Sequence, residues 1–576
     1  MAYIIKDKVA LWKSRIDVSE KYHKEKFGDR AKKMVEMYRG KHFPDIIEDY
    51  SVVINYCYSI VKAILPQIYY QDPYLYLSPG DDSSGVEDTD IAEKLLNHFW
   101  YNMQIKKQMK KIVLDTIIYG YGIGKLGWYT KTIKSNKNTE TGAEHTELIA
   151  EEYPYFLRTS PLDVIFDISS KDLDLKRWVA ARYLLPVSEL KKKYPKAKDI
   201  KGEYSIVGND NNLFEKSNMA KEDLERAEVW EILDLVDNKI YLYNDNCDDF
   251  LKDEDNPYEI PGGNYKILTF NDIPDNLYPL SDLSQIAQIN IEMDKTRSQL
   301  LNHRAKSQRK IIYEDGIFAS EKDKKAFLSE DDMSAVGVKQ GMIDKLKIFD
   351  ASMVDANLYN IDALHKDDLN NLSGVGWNQR GVEAPVEKTA TEAQIIDRNS
   401  NLRNSERLDS VTDYCIDVGK GILVMLQDFL TDDVALQVVD NGDKKWKRFN
   451  KDNIKGTYNI RVDIGSTVKP NAEEERMKFM EFIQFTKDFV DEEGKPILNI
   501  KNAVKILTDK YKFSNEEVNK ILNTDKSEDK EKINEGELAD FLAQLGGTQP
   551  TMGMPPQTTM GYEGMPPDLM PQGGIY

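Results

Sequence analysis

The stretch SDLSQIAQINIEMDKTRSQLLNHRAKSQRK, residues 281–310, says most about the fold. Ser281 or Asp282 can serve as an N-cap, and the stretch that follows predicts one long helix. Its apolar positions are sparse, which is typical of a helix that packs beside neighbouring helices and is not buried on all sides. These positions are Leu283, Ile286, Ile289, Met293, Leu300 and Leu301.

The second half of this helix is basic, and no acidic residue follows Asp294 within it. One interpretation is that the helix dipole favours cations near a C-terminus, by about a few tenths of a kcal/mol each. The other is a basic band that faces phosphates or an acidic neighbouring subunit. Both interpretations stay open for Lys295, Arg297, Arg304, Lys306, Arg309 and Lys310.

A small mixed unit, 311–350, follows the basic end of this helix, and a second helix is predicted at about 353–372. The next stretch, SGVGWNQRGVEAPVEK at 373–388, is a glycine-bearing loop between two long helices. Loops of this length without secondary structure are usually functional or disordered, and we expect a functional one. Its candidate residues are Trp377, Gln379, Arg380 and Lys388.

The helix after this loop is predicted to be very long, about 390–430. Thr389 and Glu392 have the spacing of a capping box at its start. At about 1.5 Å per residue it would extend for roughly 60 Å, which is beyond the usual range in globular proteins. Gly419 and Gly421 lie inside it and are candidate points for a kink.

Helices and strands alternate on both sides of this central part, so we predict an α+β fold with several domains. From Gly546 onward the chain is rich in Gly, Pro, Met and Gln, and we expect a mobile tail there. The residue patterns predict helices at 1–50, 51–70, 88–119 and 471–543, and strands at 72–80, 125–132, within 151–270 and at 434–468.

The composition is that of a globular protein with an acidic balance, 98 acidic against 78 basic residues and a net charge of −20. Tight sequence-specific DNA binding needs a basic face, so this balance argues against it. No apolar run approaches the roughly 18 residues of a membrane helix, and no signal peptide is expected. The 3 cysteines form neither a disulfide framework nor a four-cysteine zinc site, which favours a reducing compartment.

The pattern Gly122-x-Gly124-x-x-Gly127 matches the dinucleotide-binding fingerprint in spacing only. In that fold the glycines follow a strand and open a helix. Here a predicted helix precedes them and a predicted strand follows, so we expect a tight helix-to-strand connection. A Walker A motif is excluded as well, because Leu126 stands where Ser or Thr should hold magnesium. Both observations favour a protein that is not an enzyme and needs no cofactor.

Other titratable residues show no catalytic or metal-binding pattern. The acidic stretch 245–255 lacks the glycine and glutamate register of an EF-hand, so we expect a solvated loop and leave weak cation binding open. Trp100, Trp178 and Trp230 are expected in the core, and Trp377 at a subunit interface. Neither HExxH nor HxH spacing occurs, so exposed surface positions are expected for His23, His42, His98, His145, His303 and His365.

The order of several segments resembles the portal proteins of tailed bacteriophages, over roughly 50–470. No single segment is a signature, and the resemblance lies in their order around two long helices, the small domain between them and a third, longer helix. The segments are VVINYCYSIVKAILPQIYYQDPYLYLSP, DTIIYGYGIGKLGWY, YPYFLRTSPLDVIFD, KRWVAARYLLPVSELKKKYP, AEVWEIL, YPLSDLSQIAQINIEMDKTRSQLLNHRAKSQRK and EKTATEAQIIDRNSNLRNSERLD.

This resemblance implies a portal fold, with long helices around a central channel. By analogy each stretch of the chain takes one part of that fold. These are the wing at 1–280, stem helices at 281–310 and 353–372, the clip at 311–352, the tunnel loop at 373–388, the long kinked helix at 389–432, returning wing strands at 433–470, the crown at 471–545 and a disordered tail at 546–576.

The resemblance also implies a function in the virion. A ring of probable twelvefold symmetry would sit at one capsid vertex and pass double-stranded DNA during packaging and ejection. The chain would be a late protein, made and assembled in the host cytoplasm, with no membrane partner. Its implied partners are the terminase large subunit, the major capsid protein, the scaffold and a head–tail adaptor.

A conduit must not hold what it conducts. DNA carries a charge every ~1.7 Å, and neutralised phosphates add salt-dependent affinity, so we expect an acidic bore with sparse cations such as Arg380 or Lys388. Opposite charges on 1–50 and 281–310 are suited to pairing between subunits. The alternatives are another oligomeric virion protein or, less favoured, a nucleotide-binding enzyme that uses Gly122–Gly127.

Overall fold

The structure is a computed structural model, and the chain divides into two units, Met1–Pro470 and Asn471–Tyr576. Neither unit is described in full. The described residues are 8–43, 51–80, 86–139, 142–198, 200–202, 204–209, 212–216, 225–306, 310–328, 336–349, 357–375, 390–431, 434–440, 443–449, 451–462 and 472–486.

Helices of very different length occur among the described residues of the two units. A π-helical segment, Lys24–Gly28, joins the first two. The α-helices are α1 (Lys8–His23), α2 (Asp29–Arg39), α3 (Tyr56–Ile68), α4 (Val86–Asn102), α5 (Ile105–Tyr119), α6 (Val187–Lys193), α7 (Asp282–Lys306), α8 (Glu321–Leu328), α9 (Asn357–Ser373) and α10 (Ala390–Phe429) in the first unit, and α11 (Ala472–Thr486) in the second.

The strands pair in antiparallel fashion throughout the described part of the first unit. They are β1 (Leu75–Pro79), β2 (Tyr121–Thr139), β3 (Gly142–Thr159), β4 (Val164–Phe166), β5 (Trp178–Pro186), β6 (Tyr204–Asn209), β7 (Asn212–Lys216), β8 (Glu225–Asp234), β9 (Lys239–Tyr243), β10 (Lys252–Asp255), β11 (Tyr265–Thr269), β12 (Lys310–Tyr313), β13 (Leu346–Phe349), β14 (Val434–Asp440), β15 (Asp443–Phe449) and β16 (Tyr458–Val462).

These strands form two larger sheets and three hairpin-sized pairs. The largest sheet has the order β10-β9-β8-β5-β4, with β6 and β7 attached beside β8. A second sheet has the order β11-β2-β3, and the pairs are β1–β16, β12–β13 and β14–β15. Antiparallel sheets with helices packed outside them are typical of α+β proteins, and the predicted fold class is confirmed.

The predicted single helix at 88–119 is wrong, because the structure has two helices there, α4 and α5. The break lies at Gln104, whose φ of 52° is left-handed and therefore ends the α4 hydrogen-bond ladder. Both sides of the break are held in the core by Trp100 and Ile105. No glycine or proline marks the position, so the sequence gives no signal of it.

The three fingerprint glycines lie within β2, so the tight connection predicted at Gly122–Gly127 is misplaced. The turn is made one step earlier by Gly120, which has a φ of 105° and caps α5. A Cβ on Gly122 would lie 2.3 Å from the carbonyl oxygen of Ile112, and one on Gly124 would lie 2.3 Å from the Phe156 ring. Close packing of β2 explains these glycines, and β2 stands where a dinucleotide fold needs a helix.

The largest core lies among α3, α4, α5, α7 and α10, with side chains such as Ile60, Trp100, Ile112, Leu283 and Val418. A separate cluster under α1 contains Trp12, Trp178 and Trp230. The prediction that Trp100, Trp178 and Trp230 are core residues is confirmed. Among the described residues, no helix is long and apolar enough to span a bilayer.

Candidate functional site

A helical hairpin formed by α7 and α9 is the most distinctive feature of the first unit. Ser281 is the N-cap of α7, because its Oγ accepts a hydrogen bond from the Ser284 amide at 2.9 Å. Arg297 bonds Asp362, and Glu292 lies 3.8 Å from His365. Residue numbers therefore rise along α7 while they fall along α9, and the two helices run antiparallel.

The far end of this hairpin carries a small β unit. Strand β12 begins at Lys310, and it pairs with β13 in the register Lys310↔Phe349 to Tyr313↔Leu346. The helix α8 lies between these strands in the sequence. The hairpin therefore has a body end, near residue 281, and a tip end with its own two-stranded sheet.

The body end of α7 is fastened by a row of polar side chains. Asn290, Asp294 and Ser298 are four residues apart and so share one face of the helix. Their oxygens accept backbone N–H hydrogen bonds of 2.8–3.0 Å. The donors, in order, are Cys57 to Asn290, Ile54 to Asp294 and Val52 to Ser298.

Asp294 also pairs with His42, and both side chains are fully buried. The Nε2 atom of His42 lies 3.0 Å from the carbonyl oxygen of Met37, so this nitrogen must carry a proton. Asp294 faces the other ring nitrogen, Nδ1. This pair joins the N-terminal helices to α7.

The predicted surface positions are wrong for three of the six histidines. His23, His42 and His365 are buried, with 5%, 7% and 8% of their surface exposed. Each lies in a pocket formed by residues distant in sequence, so local spacing gave no warning. His303 is exposed and His98 is half-buried, whereas the side chain of His145 lies outside the described residues.

The basic residues of α7 do not share one environment. Arg297 forms a two-point contact with Asp362, with Nε–Oδ1 and Nη2–Oδ2 distances of 2.8 and 2.7 Å. Lys366 binds the same carboxylate at 3.0 Å. Arg297 thus joins the two hairpin helices, whereas Lys295 and Arg304 are exposed. Arg309 and the side chains of Lys306 and Lys310 lie outside the described residues.

The predicted tunnel-loop residues Trp377, Gln379, Arg380 and Lys388 lie outside the described residues, as does Thr389 of the predicted capping box. Beyond them, α10 continues through both candidate kink glycines. A Cβ on Gly421 would lie 2.5 Å from Leu126 Cδ1, and one on Gly419 would lie 3.1 Å from Leu75 Cδ2. Close packing gives these glycines a structural reason, and bending there stays a prediction.

The acidic stretch 245–255 is bound to lysines along much of its length. Part of it is strand β10, so it is only partly the loop that was predicted. Within the described ranges, no group of acidic, histidine or cysteine side chains is arranged to hold a metal ion. The ion pairs are Lys13–Asp245, Lys196–Asp249, Lys239–Asp253, Lys239–Asp255 and Lys252–Glu254.

The described part of the first unit is thus an α+β body with a helical hairpin that carries a small β unit at its tip. A family model described as Phage P22-like portal protein matches residues 25–501. This range is most of the chain, and the chain therefore belongs to the P22-like portal family. No curated protein matches it.

The family membership confirms that the chain is a phage portal protein. Portal proteins are structural, not enzymatic, and they belong to the virion, where they form a homo-oligomeric ring in the capsid. The finer assignments of channel, docking surfaces and regions depend on the geometry described above.

Proposed function

We propose that this chain is the subunit of a ring of twelve copies, through which double-stranded DNA is packaged and later ejected. The observation that carries this proposal is the α7–α9 hairpin with the β12–β13 pair at its tip. In a ring of such subunits, hairpins side by side enclose a passage along the axis. The family match over 25–501 supports the same arrangement.

The regions of the subunit follow from this arrangement. The hairpin α7–α9 serves as the stem, and 311–352 serves as the clip. The stretch 373–388 is the tunnel loop, and α10 is the long helix behind it. The remaining assignments are the wing at 1–280 and 433–470, the crown at 471–545 and a tail at 546–576.

Electron microscopy of the purified protein is the direct test. Rings with a central hole are expected, and class averages count the subunits. Protein that stays monomeric under every assembly condition, or that forms particles without a hole, contradicts the proposal. The second of these results favours a different oligomeric virion protein.

The clip is proposed to dock the terminase large subunit during packaging and a head–tail adaptor afterwards. Replacing 314–345, between β12 and β13, with a flexible linker is expected to leave rings intact and abolish terminase binding. The matched control shortens the β2–β3 hairpin, whose last paired residues are Thr139 and Gly142. Equal loss of terminase binding in both variants counts against a docking role for the clip.

The bore is proposed to repel DNA, since a net charge of −20 per chain is multiplied by the copies in the ring. Arg380 and Lys388 then supply transient contacts that do not trap the duplex. Replacing both with Gln is expected to alter DNA retention and leave ring assembly unchanged. Packaging assays and electron microscopy of the same preparations separate these two effects.

The bending proposed for α10 is tested best at Gly419. Alanine there needs only a small shift of Leu75, whereas alanine at Gly421 meets Leu126 at 2.5 Å and disturbs packing. Gly419→Ala is therefore expected to fold normally yet impair packaging or DNA retention. Normal virion yield from this variant means that bending at this position is not needed.

A further inference from the structure

Four lysines stand at the end of α5 where the helix dipole disfavours them. Lys106, Lys107, Lys110 and Lys111 fall within the first seven residues of the helix, and its first turn has no acidic residue. Cations are favoured at a helix C-terminus and disfavoured at an N-terminus. In α6 the lysines occupy the favoured end, in its last turn. Lys106 and Lys107, which lie in the first turn, therefore reduce the stability of their own helix.

Among the described residues, no carboxylate forms a salt bridge with these α5 lysines. Lys106 and Lys110 act at longer range on the charge of Asp72, and Lys111 acts on that of Asp115. Lys106 and Lys110 lie over the Tyr70 ring, 5.6 and 5.5 Å from its centroid. Tyr101 stands nearby with 76% of its surface exposed. Tyrosine is enriched at protein interfaces, so this lysine–tyrosine surface has the composition of a docking site.

A stripe of the opposite sign runs along α10. Glu406, Asp409, Asp413 and Asp417 are three, four and four residues apart, so they share one face, and all are exposed. Of the four, Asp417 is paired, with Lys420 at 3.6 Å. Burial, and then the charges of Asp409 and Asp417, raise the pKa of Asp413. Such like charges destabilise a helix that has nothing beside it.

The two charged surfaces lie on different helices and face different ways. Cys415 lies on the side of α10 that faces Asp72, whose charge adds to burial in raising the pKa of the thiol. Asp72 in turn lines the same concave surface as Lys106 and Lys110. Two residues along a helix correspond to a rotation of about 200°, so Asp413 and Asp417 point away from Asp72. Within one copy, the α10 stripe is therefore turned away from the side of α10 on which Asp72 lies.

We propose that the α5 lysine–tyrosine surface of one copy docks on the α10 carboxylate stripe of the next copy around the ring. This inference rests on the ring proposed above. A ring contact is heterologous and needs two different surfaces on each subunit, which these are. The opposite charges set the register, and the tyrosines supply apolar area. The contact involves α5 and α10, whereas the sequence had suggested 1–50 and 281–310.

Charge reversal on either surface tests the contact. The first variant combines Lys107→Glu with Lys110→Glu, and the second combines Asp409→Lys with Asp413→Lys. Each is expected to remain monomeric where the wild type forms rings, as measured by mass photometry. The melting temperature of each variant should also be at or above that of the wild-type monomer, because each variant removes charges that destabilise the helix carrying them. A lower melting temperature together with normal rings overturns the proposal.

Mixing the two reversed variants gives the sharper result. Every contact between unlike copies then joins opposite charges, either Glu on α5 with Lys on α10 or Lys on α5 with the native carboxylates. Rings are expected to return, with the two variants in strict alternation and an even number of subunits. Native mass spectrometry of one isotopically labelled variant reads this composition. Two folded variants that fail to rescue each other overturn the proposal.

The control variant combines Lys191→Glu with Lys192→Glu in α6. These lysines lie in the last turn, where the helix dipole favours cations, and the variant is expected to form rings normally. If DNA is the true occupant of the lysine surface, the α5 variant forms rings but loses duplex binding in a mobility-shift assay, which overturns the proposal. Normal rings from all variants overturn this contact alone. A wild type that never forms rings overturns the proposed function as well, so the two failures are distinguishable.

Discussion

Two of the buried histidines, His42 and His23, occupy opposite kinds of pocket. His42 has an acceptor at each ring nitrogen, the Asp294 carboxylate at Nδ1 and the Met37 carbonyl oxygen at 3.0 Å from Nε2. His23 contacts the Tyr278 hydroxyl at 2.9 Å through Nδ1, and its Nε2 has no hydrogen-bond partner among the described residues. Its ring packs against Phe27 at 4.8 Å between centroids.

This difference shows that burial alone does not decide what a histidine does. The His42 pocket supplies an acceptor at each ring nitrogen, and these contacts couple α7 to the N-terminal part of the unit. Burial, assisted by the charge of Arg182, lowers the pKa of His23 to about 4. The His23 pocket therefore disfavours the charged ring.

Removing one partner of the His42–Asp294 pair is expected to have the largest effect. Asp294→Ala leaves His42 and the Ile54 amide without their acceptor, and losing one member of a buried pair costs about 3–5 kcal/mol. The free energy of unfolding, measured by denaturant titration, should fall by that amount. The monomer is the species to measure, since ring contacts add stability of their own.

Asp294→Asn is the matched control for this pair. Its Oδ1 still accepts from the Ile54 amide, and its amide group donates to Nδ1 of a neutral His42 that keeps its proton on Nε2. The loss should then stay within about 1 kcal/mol. If Asn is as damaging as Ala, the carboxylate charge matters more than the hydrogen bonds.

The His23 pocket is expected to make stability fall in acid. Since the pKa of His23 is lowered from 6.5 to about 4 on folding, the unfolded chain binds this proton first as the pH drops. The linked loss begins near pH 6.5 and reaches about 2 kcal/mol at pH 5. His23→Phe should remove that part of the pH dependence of the unfolding free energy.

The comparison for His23→Phe is His303→Gln, because His303 is exposed. This substitution should leave the difference in stability between pH 7 and pH 5 unchanged. An unaltered slope in His23→Phe would mean that other groups carry the acid sensitivity of the unit.

The long helices of this chain could be predicted from the sequence, because their signals are local. The N-cap at Ser281 indicates where α7 begins, and the spacing of Leu283 and Ile286 is typical of a helix. The predicted end at residue 310 lies within a few residues of the observed end at Lys306. The break at Gln104 could not be predicted, since glutamine is not a residue that marks left-handed turns. Tertiary packing on both sides imposes it.

The candidate site was predicted less completely than the fold. His42 and Asp294 are 252 residues apart, so no motif in the sequence connects them. The sequence grouped the basic residues of α7 as one band, but the use of Arg297 depends on Asp362, a partner on another helix. Side-chain pairing across helices is set by the packing, and residue spacing along one helix carries no record of it.

The Arg297–Asp362 pair extends the comparison to a carboxylate nearer solvent, where we expect the smallest effect. Burial acts to raise the pKa of Asp362, but hydrogen bonds from Arg297 and Lys366 outweigh it and lower this pKa below 3.8. The pair therefore stabilises the fold at neutral pH. This stabilisation is lost as the pH falls through the lowered pKa of Asp362 in the folded protein. A double-mutant cycle with Arg297→Gln and Asp362→Asn should give a coupling of about 1 kcal/mol at pH 7.

This cycle also distinguishes two roles for Arg297, an ion pair between α7 and α9 or a contact with phosphates. The Arg297 side chain is 34% exposed, so solvent screens the pair and the coupling stays far below that of the fully buried His42–Asp294 pair. A coupling that is lost as the pH falls through the lowered pKa of Asp362 identifies Arg297 as the tie between α7 and α9. Absence of coupling at pH 7 would instead leave its guanidinium available to phosphates, and Arg297 would then belong with Lys295 and Arg304 in a basic band of the stem.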